Sequence, residues 1–268
     1  MLRILSLGAG VQSTTLALMA AAGEVGPMPD CAIFADTGAE PAPVYEHLRW
    51  MMGGNVLPFP VHIVQSGDLR ADLLAGRNST GGRFVSIPFH GVSEVGREMM
   101  ARRQCTEEYK LKPIRKKVRD LLGNPVRPVA GSVEMWVGIS VDEIARMKPS
   151  RVKYIENRHP LIELRLRRWD CLQWLRRHEF PAPPKSACTF CPFRRNDEWR
   201  WLRDHDPAGF ADAVEVDGAL RDGDGFGRFK SELFLHRDRV PLAAADIRSD
   251  EDRGQMAWAG ECEGMCGV

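Results

Sequence analysis

Two sets of residues in this 268-residue chain have the types and spacing to do chemistry. The first is Cys188-Thr189-Phe190-Cys191, between Pro183-Pro184-Lys185-Ser186-Ala187 and Pro192-Phe193-Arg194-Arg195. A turn this tight can point both sulfurs at one ion. Sulfur ligands favour Zn²⁺ or an iron–sulfur cluster, and either usually takes four, so the pair is half a site. The seven cysteines (Cys31, Cys105, Cys171, Cys188, Cys191, Cys262 and Cys266) are too few and too irregularly spaced for a secreted disulfide framework. Cys31 lies in an apolar run and reads as core. Cys262 and Cys266 lie near the C-terminal end and can carry a persulfide or form a disulfide, since the thiolate is the nucleophile. The plain alternative is a frayed end whose thiols do nothing.

The second set is Gly8-Ala9-Gly10-Val11-Gln12-Ser13, which follows the apolar run Arg3–Leu7 and precedes the Ala-, Leu- and Met-rich Thr14–Ala22. A strand, a small-residue loop and a helix form a phosphate site. Backbone N–H groups approach the oxygens closely, and the helix N-terminus adds partial positive charge. The spacing matches neither G-x-G-x-x-G nor G-x-x-x-x-G-K-[ST], and a turn of this kind can also hold no ligand.

The elements that must position these residues follow a βαβ alternation. Strands are expected at Arg3–Leu7, Cys31–Ala35, Val61–Val64 and Glu134–Ile139. Helices are expected at Thr14–Ala22, Val44–Met52, Glu94–Arg103 and Pro113–Leu122, with Gly67–Gly91 as a loop. The pattern predicts an α/β fold, a parallel sheet with helices on both faces. Pro, Gly and acidic residues increase after Pro181. The organisation read from this is a nucleotide-binding domain over 1–180 and a smaller C-terminal subdomain with the Cys-x-x-Cys and tail over 181–268.

In the order of the chain, these segments resemble a family. Gly8-Ala9-Gly10-Val11-Gln12-Ser13 resembles the modified P-loop of the phosphoadenylyl-sulfate and adenylyl-sulfate reductases, within the superfamily of PP-loop ATP pyrophosphatases (adenine nucleotide alpha-hydrolase-like). The pyrophosphatases have Lys and Asp where this chain has Val11 and Gln12. Phe34-Ala35-Asp36-Thr37-Gly38 is similar to the reductases' second-strand motif. Cys105 with Lys110 and Pro113 is similar to their Cys-Cys-x-x-x-Lys-x-x-Pro, with Gln104 in place of the first Cys. Gly138 through Glu143 to Arg146, His159-Pro160-Leu161-Ile162, and Ser186-Ala187-Cys188-Thr189-Phe190-Cys191 continue the resemblance.

The resemblance implies an iron–sulfur-dependent enzyme of sulfur chemistry that binds an adenine nucleotide (ATP, AMP or adenylyl sulfate). The nucleotide-binding residues it implies are Ser6, Gly8, Gly10, Gln12, Ser13, Asp36, Thr37, Gly38, Lys110, Gly138, Glu143 and Arg146. Arg146 and Lys110, with Arg115, are expected to clamp anionic groups. A [4Fe-4S] cluster, or alternatively Zn²⁺, is expected on Cys105, Cys171, Cys188 and Cys191; Cys171 enters only because a fourth sulfur is needed. Glu261-Cys262 is similar to the reductases' terminal Glu-Cys-Gly, whose thiolate attacks the sulfate sulfur, so Cys262 and Cys266 are the expected catalytic residues. The expected partner is a thiol or another donor of sulfur or electrons. Two other readings stay open: a tRNA- or DNA-thiolating enzyme that adenylates with ATP, and a non-catalytic nucleotide- or nucleic-acid-binding module with structural zinc.

Composition sets the outer bounds. A hydrophobic share of 44%, a charged share of 27% and a mean hydropathy of -0.29 exclude a disordered chain, a fibre and a coiled coil. No apolar run reaches membrane-helix length, and the chain is expected to be cytoplasmic. The net charge of +1 divides into +9 over residues 1–196 and -8 beyond. Bases cluster over Arg102–Arg119 and Arg146–Arg177, which suits anionic ligands or solvated helix faces.

Overall fold

The structure is a computed structural model that describes residues 1–78, 80–81, 86–93, 95–221 and 232–248. Cys262 and Cys266 lie outside the described residues. Five strands, β1 (Leu2–Leu7), β2 (Cys31–Asp36), β3 (Val61–Gln65), β6 (Val133–Val137) and β7 (Ile155–Arg158), form one sheet in the order β3-β2-β1-β6-β7. Every pairing in it is parallel. Parallel strands are covered on both faces, and Cys31–Ala35 is accordingly buried along its whole length. The chain is α/β, as the alternation predicts.

The helices around this sheet are α1 (Val11–Ala21), α2 (Ala42–Met51), α4 (Lys112–Leu121), α5 (Pro160–Glu163) and α6 (Arg168–Arg177). Helix α1 is buried from Val11 to Ala20 except at Gln12, because α6 packs over its outer side. One core lies on the α1 face and includes Leu16, Phe34, Trp136, Cys171 and Trp174. Another, with Ile4, Ile33, Val118 and Met135, lies under α4. Helix α4 buries Pro113, Ile114 and Val118 and turns its basic residues outward. Lys112 pairs with Glu108 at 2.6 Å and Arg115 with Glu107 at 2.6 Å. Much of the first basic cluster is therefore a solvated helix face.

A third core gathers residues from distant parts of the chain, among them Ala39, Leu69, Phe89, Tyr109, Phe190, Trp199 and Leu235. It is built from α3 (Leu69–Leu74), α7 (Asn196–His205), α8 (Pro207–Arg221) and a small antiparallel sheet. That sheet has the order β5-β4-β8, from β4 (His90–Val92), β5 (Glu98–Met100) and β8 (Leu233–Phe234). Two expectations fail here. Glu98–Met100, expected within a helix, is a strand paired with His90–Val92; Gly96, at φ 73°, makes the turn between them. The expected loop Gly67–Gly91 contains α3, whose N-cap Asp68 accepts from the backbone N–H of Ala71 at 2.9 Å.

Candidate functional site

The chain builds β1, β2 and β3 outward on one side of the sheet, then crosses to β6 and β7 on the other. The strand order reverses between β1 and β6, and open α/β sheets bind ligands at the C-terminal ends of strands flanking such a reversal. The loop after β1 is Gly8–Gly10, and the residue after β6 is Gly138. Ser13 Oγ accepts from the Gly8 N–H at 3.1 Å and donates to the Gly10 carbonyl at 3.3 Å, which closes the loop on the first turn of α1. Ser6 lies on β1, paired with Ile33 and Val137.

Gln12 leaves the buried run of α1 and crosses the reversal. Its Nε2 donates to Glu143 Oε2 at 3.2 Å and to Ser140 Oγ at 3.4 Å, and its Oε1 accepts from Arg168 Nη1 at 3.0 Å. Glu143 and Arg146, on a 3₁₀ turn (Val141–Arg146), form an ion pair. Burial raises the Glu143 pKa, and Arg146 opposes the shift. Gln12, Gly138, Glu143 and Arg146, expected from the sequence, are thus brought together. Arg168 joins them unforeseen, reaching across 156 positions of sequence.

A second cluster forms beside the first at the end of β2. Asp36 Oδ1 accepts from the Gly38 N–H at 2.8 Å and from the Tyr45 hydroxyl at 2.7 Å. Cys105 precedes a π-helical turn (Thr106–Leu111), and Lys110 on that turn reaches Glu40 Oε1 at 3.2 Å. π-Turns often occur at functional sites. Ser186 Oγ donates to Glu40 Oε2 at 3.3 Å, and the Thr189 N–H donates to the Ala39 carbonyl at 2.7 Å. Glu40, 5% exposed, therefore fastens the Cys105 segment and the Cys188–Cys191 loop to the end of β2. Sequence reasoning missed it; a carboxylate four residues after Asp36 was the available signal.

Thr37, Arg103, Cys105, Lys110, Cys188 and Cys191 line one cleft of about 30 Å³. Cys188 Sγ is hydrogen-bonded to Thr37 Oγ1 at 3.3 Å. Burial, reinforced by the Glu40 carboxylate, pushes the Cys188 thiol up to about 12, against the pull of Lys110 and the Thr37 hydrogen bond. Arg194, 2% exposed, holds the loop from behind, with Nη2 donating to the carbonyls of Ala187 at 2.7 Å and Cys188 at 3.2 Å. Its Nη1 is buried without a partner.

Cys171 is elsewhere. It is 0% exposed on α6, within the core on the α1 face, whereas Cys105 and Cys188 pack against the core of α7 and α8. Burial pushes its thiol up to about 12. The four-cysteine cage expected from the sequence does not fit this arrangement: three of its thiols share a cleft and the fourth fills a hydrophobic core. Among the described residues, no group of three or more His, Cys, Asp or Glu side chains is arranged to hold a metal ion. The expected clamp cations are also engaged: Lys110 with Glu40, Arg146 with Glu143 and Arg115 with Glu107.

No family model matches the chain, and no curated protein does. Among solved structures it is similar to phosphoadenylyl-sulfate (PAPS) reductase from Candida auris, in a phosphate complex. The TM-score is 0.43 at 12% identity, over 68% of this chain and 74% of that one. Among the described residues no helix is long and apolar enough to cross a membrane.

Proposed function

We propose that the chain is an enzyme of sulfur chemistry that binds an adenine nucleotide with its phosphates over Gly8, Gly10 and Ser13 and works on sulfur at the adjoining thiols. One juxtaposition carries the reading. A Cβ on Gly10 would lie 3.7 Å from the Cβ of Ser186, so the phosphate-type loop touches the segment that leads into Cys188 and Cys191. A nucleotide at the β1–β6 crevice would have thiols and cations within the same sheet edge.

Adenylyl sulfate suits this arrangement. A thiolate that attacks its sulfur forms a Cys–S–sulfonate bond as the sulfur–oxygen bond breaks and AMP leaves with the electron pair. A second thiol, after losing its proton, attacks the cysteine sulfur; a disulfide forms and sulfite departs. An external dithiol donor then reduces the disulfide. Burial keeps Cys188 in its thiol form at neutral pH, so it is not the group that makes the first attack. The attacking thiolate falls to Cys105 or Cys191, or to Cys262 or Cys266.

Calorimetry with AMP, ATP and adenylyl sulfate tests the binding half, and release of AMP and sulfite in a single turnover tests the chemistry. Arg146→Ala and Ser13→Ala should each weaken nucleotide binding by about tenfold or more, the range for hydrogen bonds to charged groups. A wild-type protein that binds none of the three nucleotides would overturn the reading.

A further inference from the structure

Within the second basic cluster Arg146, Arg151 and Arg158 are in ion pairs, but the arginines around α6 are not. Arg165, Arg167, Arg176 and Arg177 are exposed at the two ends of α6 and make no ion pair among the described residues. Between them Trp169 stands 65% exposed. Trp169, Gln173 and Arg177 are spaced i, i+4 and i+8, which sets them on one face of the helix. Together with Asp170, Leu166 and Trp174 they line a groove of about 420 Å³.

From this we infer that the α6 face docks single-stranded nucleic acid, with an unpaired base stacked on the Trp169 indole and the flanking arginines on phosphates. An exposed aromatic ring between guanidinium groups is the arrangement that binds single strands, because every base has a π-face and every nucleotide a negative charge. A duplex keeps its bases stacked and offers the indole nothing. A membrane surface is disfavoured, because the apolar side of α6 (Cys171, Trp174 and Leu175) is already buried against the protein. Gln173 stands in the groove as a hydrogen-bonding group for a base edge, whereas Asp170 caps α6 by accepting from the Arg167 backbone N–H at 2.8 Å. Arg168, the neighbour of Trp169, reaches Gln12 instead, so the docked strand would lie beside the phosphate-type loop. The surface does not depend on the nucleotide reading.

The test is fluorescence anisotropy of the full chain with labelled oligo(U) and oligo(dT) about 12 nucleotides long, a length within the usual site sizes, over a series of salt concentrations. Wild-type protein should bind at least one strand, more tightly than a duplex of the same length. Trp169→Ala should weaken binding about tenfold, with Trp169→Phe restoring most of it. Replacing the four arginines by Gln should flatten the salt dependence by about 0.7 logarithmic units for each phosphate that is no longer neutralised. The inference is overturned if neither strand binds at low salt, if a duplex binds equally well, or if Trp169→Ala leaves the affinity unchanged. It is likewise overturned if sedimentation shows that Trp169→Ala abolishes a dimer without altering strand binding, since the face then joins copies of this chain. Calorimetry of Trp169→Ala with AMP and adenylyl sulfate separates the two readings: weakened strand binding with intact nucleotide binding locates the effect on α6. A wild type that binds strands and no nucleotide sinks only the nucleotide reading.

Discussion

A Cβ atom on Gly138 would stand 2.9 Å from the backbone nitrogen of Ser13. The end of β6 and the first turn of α1 meet there with no room for a side chain. Ser13 cannot withdraw, because α1 is buried around it. Gly8 and Gly10, which look more constrained in the sequence, would place a Cβ at ordinary van der Waals distances of 3.6 and 3.7 Å. Gly138→Ala should therefore destabilise the protein by about 1–3 kcal/mol, the usual cost of overpacking. Gly10→Ala, at an extended N-cap position, should cost less than about 1 kcal/mol. Urea unfolding of the two variants checks the ordering, and equal losses would mean that the Gly138–Ser13 approach is not limiting.

The Cys188 thiol is raised first by burial and then by the Glu40 carboxylate, with Lys110 pulling the other way. Glu40→Gln keeps a hydrogen-bonding group beside Ser186 and removes the charge, so the Cys188 pKa should fall. Lys110→Met should raise it further. Mass-spectrometric alkylation rates at Cys188 against pH report both. At mildly alkaline pH the rate should increase in Glu40→Gln and decrease in Lys110→Met, and the reverse order would refute the electrostatic assignment.

What the sequence made legible here is what short range controls. The apolar runs at β1, β2, β3 and β6, and the helical stretches of α1, α2 and α4, carry their period within ten residues or so, and the structure has them. The hairpin of β4 and β5 was hidden because Glu98-Met99-Met100-Ala101 are good helix formers, and only pairing with His90–Val92 overrides that preference. Glu40 and Arg168 were hidden for another reason. Their partners, Ser186 and Gln12, lie 146 and 156 positions away in sequence, and no local pattern marks a polar side chain that will be buried against so distant a partner. The fourth sulfur was misplaced for the converse reason: a cysteine on an amphipathic helix looks the same in sequence whether it faces a cleft or a core.

His47 should make stability fall in mild acid. It is buried, its Nε2 is hydrogen-bonded to Thr14 Oγ1 at 3.1 Å, and desolvation lowers its pKa to about 4. An unfolded histidine titrates near 6.5. Between those values the unfolded chain binds the extra proton, so stability is intact above about pH 6.5 and drops as the pH falls toward 4. The loss from this residue is at most roughly 3 kcal/mol. His90 and His159 are shifted in the same direction and add to the slope. Thermal melts of wild type and His47→Gln from pH 7 to pH 4 should show a shallower decline for the variant. Parallel curves would remove His47 as the cause.

Cys171 separates a ligand from a core residue in one experiment. If the cleft thiols hold whatever soft metal or sulfide the purified protein contains, Cys105→Ser, Cys188→Ser and Cys191→Ser should each lower iron, zinc and sulfide content under anaerobic preparation. Cys171→Ser should leave that content unchanged, because its sulfur lies in the core with Leu16 and Trp174 and not in the cleft. Its effect should be on stability instead. A hydroxyl in that core replaces a small apolar group and costs about 1–3 kcal/mol unless it finds a partner. The Thr15 hydroxyl, which is hydrogen-bonded to the Cys171 thiol, can offer such a partner, so Cys171→Ala is the cleaner control. It should keep both metal content and thiol reactivity of the cleft. Loss of metal in Cys171→Ala at full folded yield would mean that α6 does reach the cleft, and the separation of the two cores would be wrong.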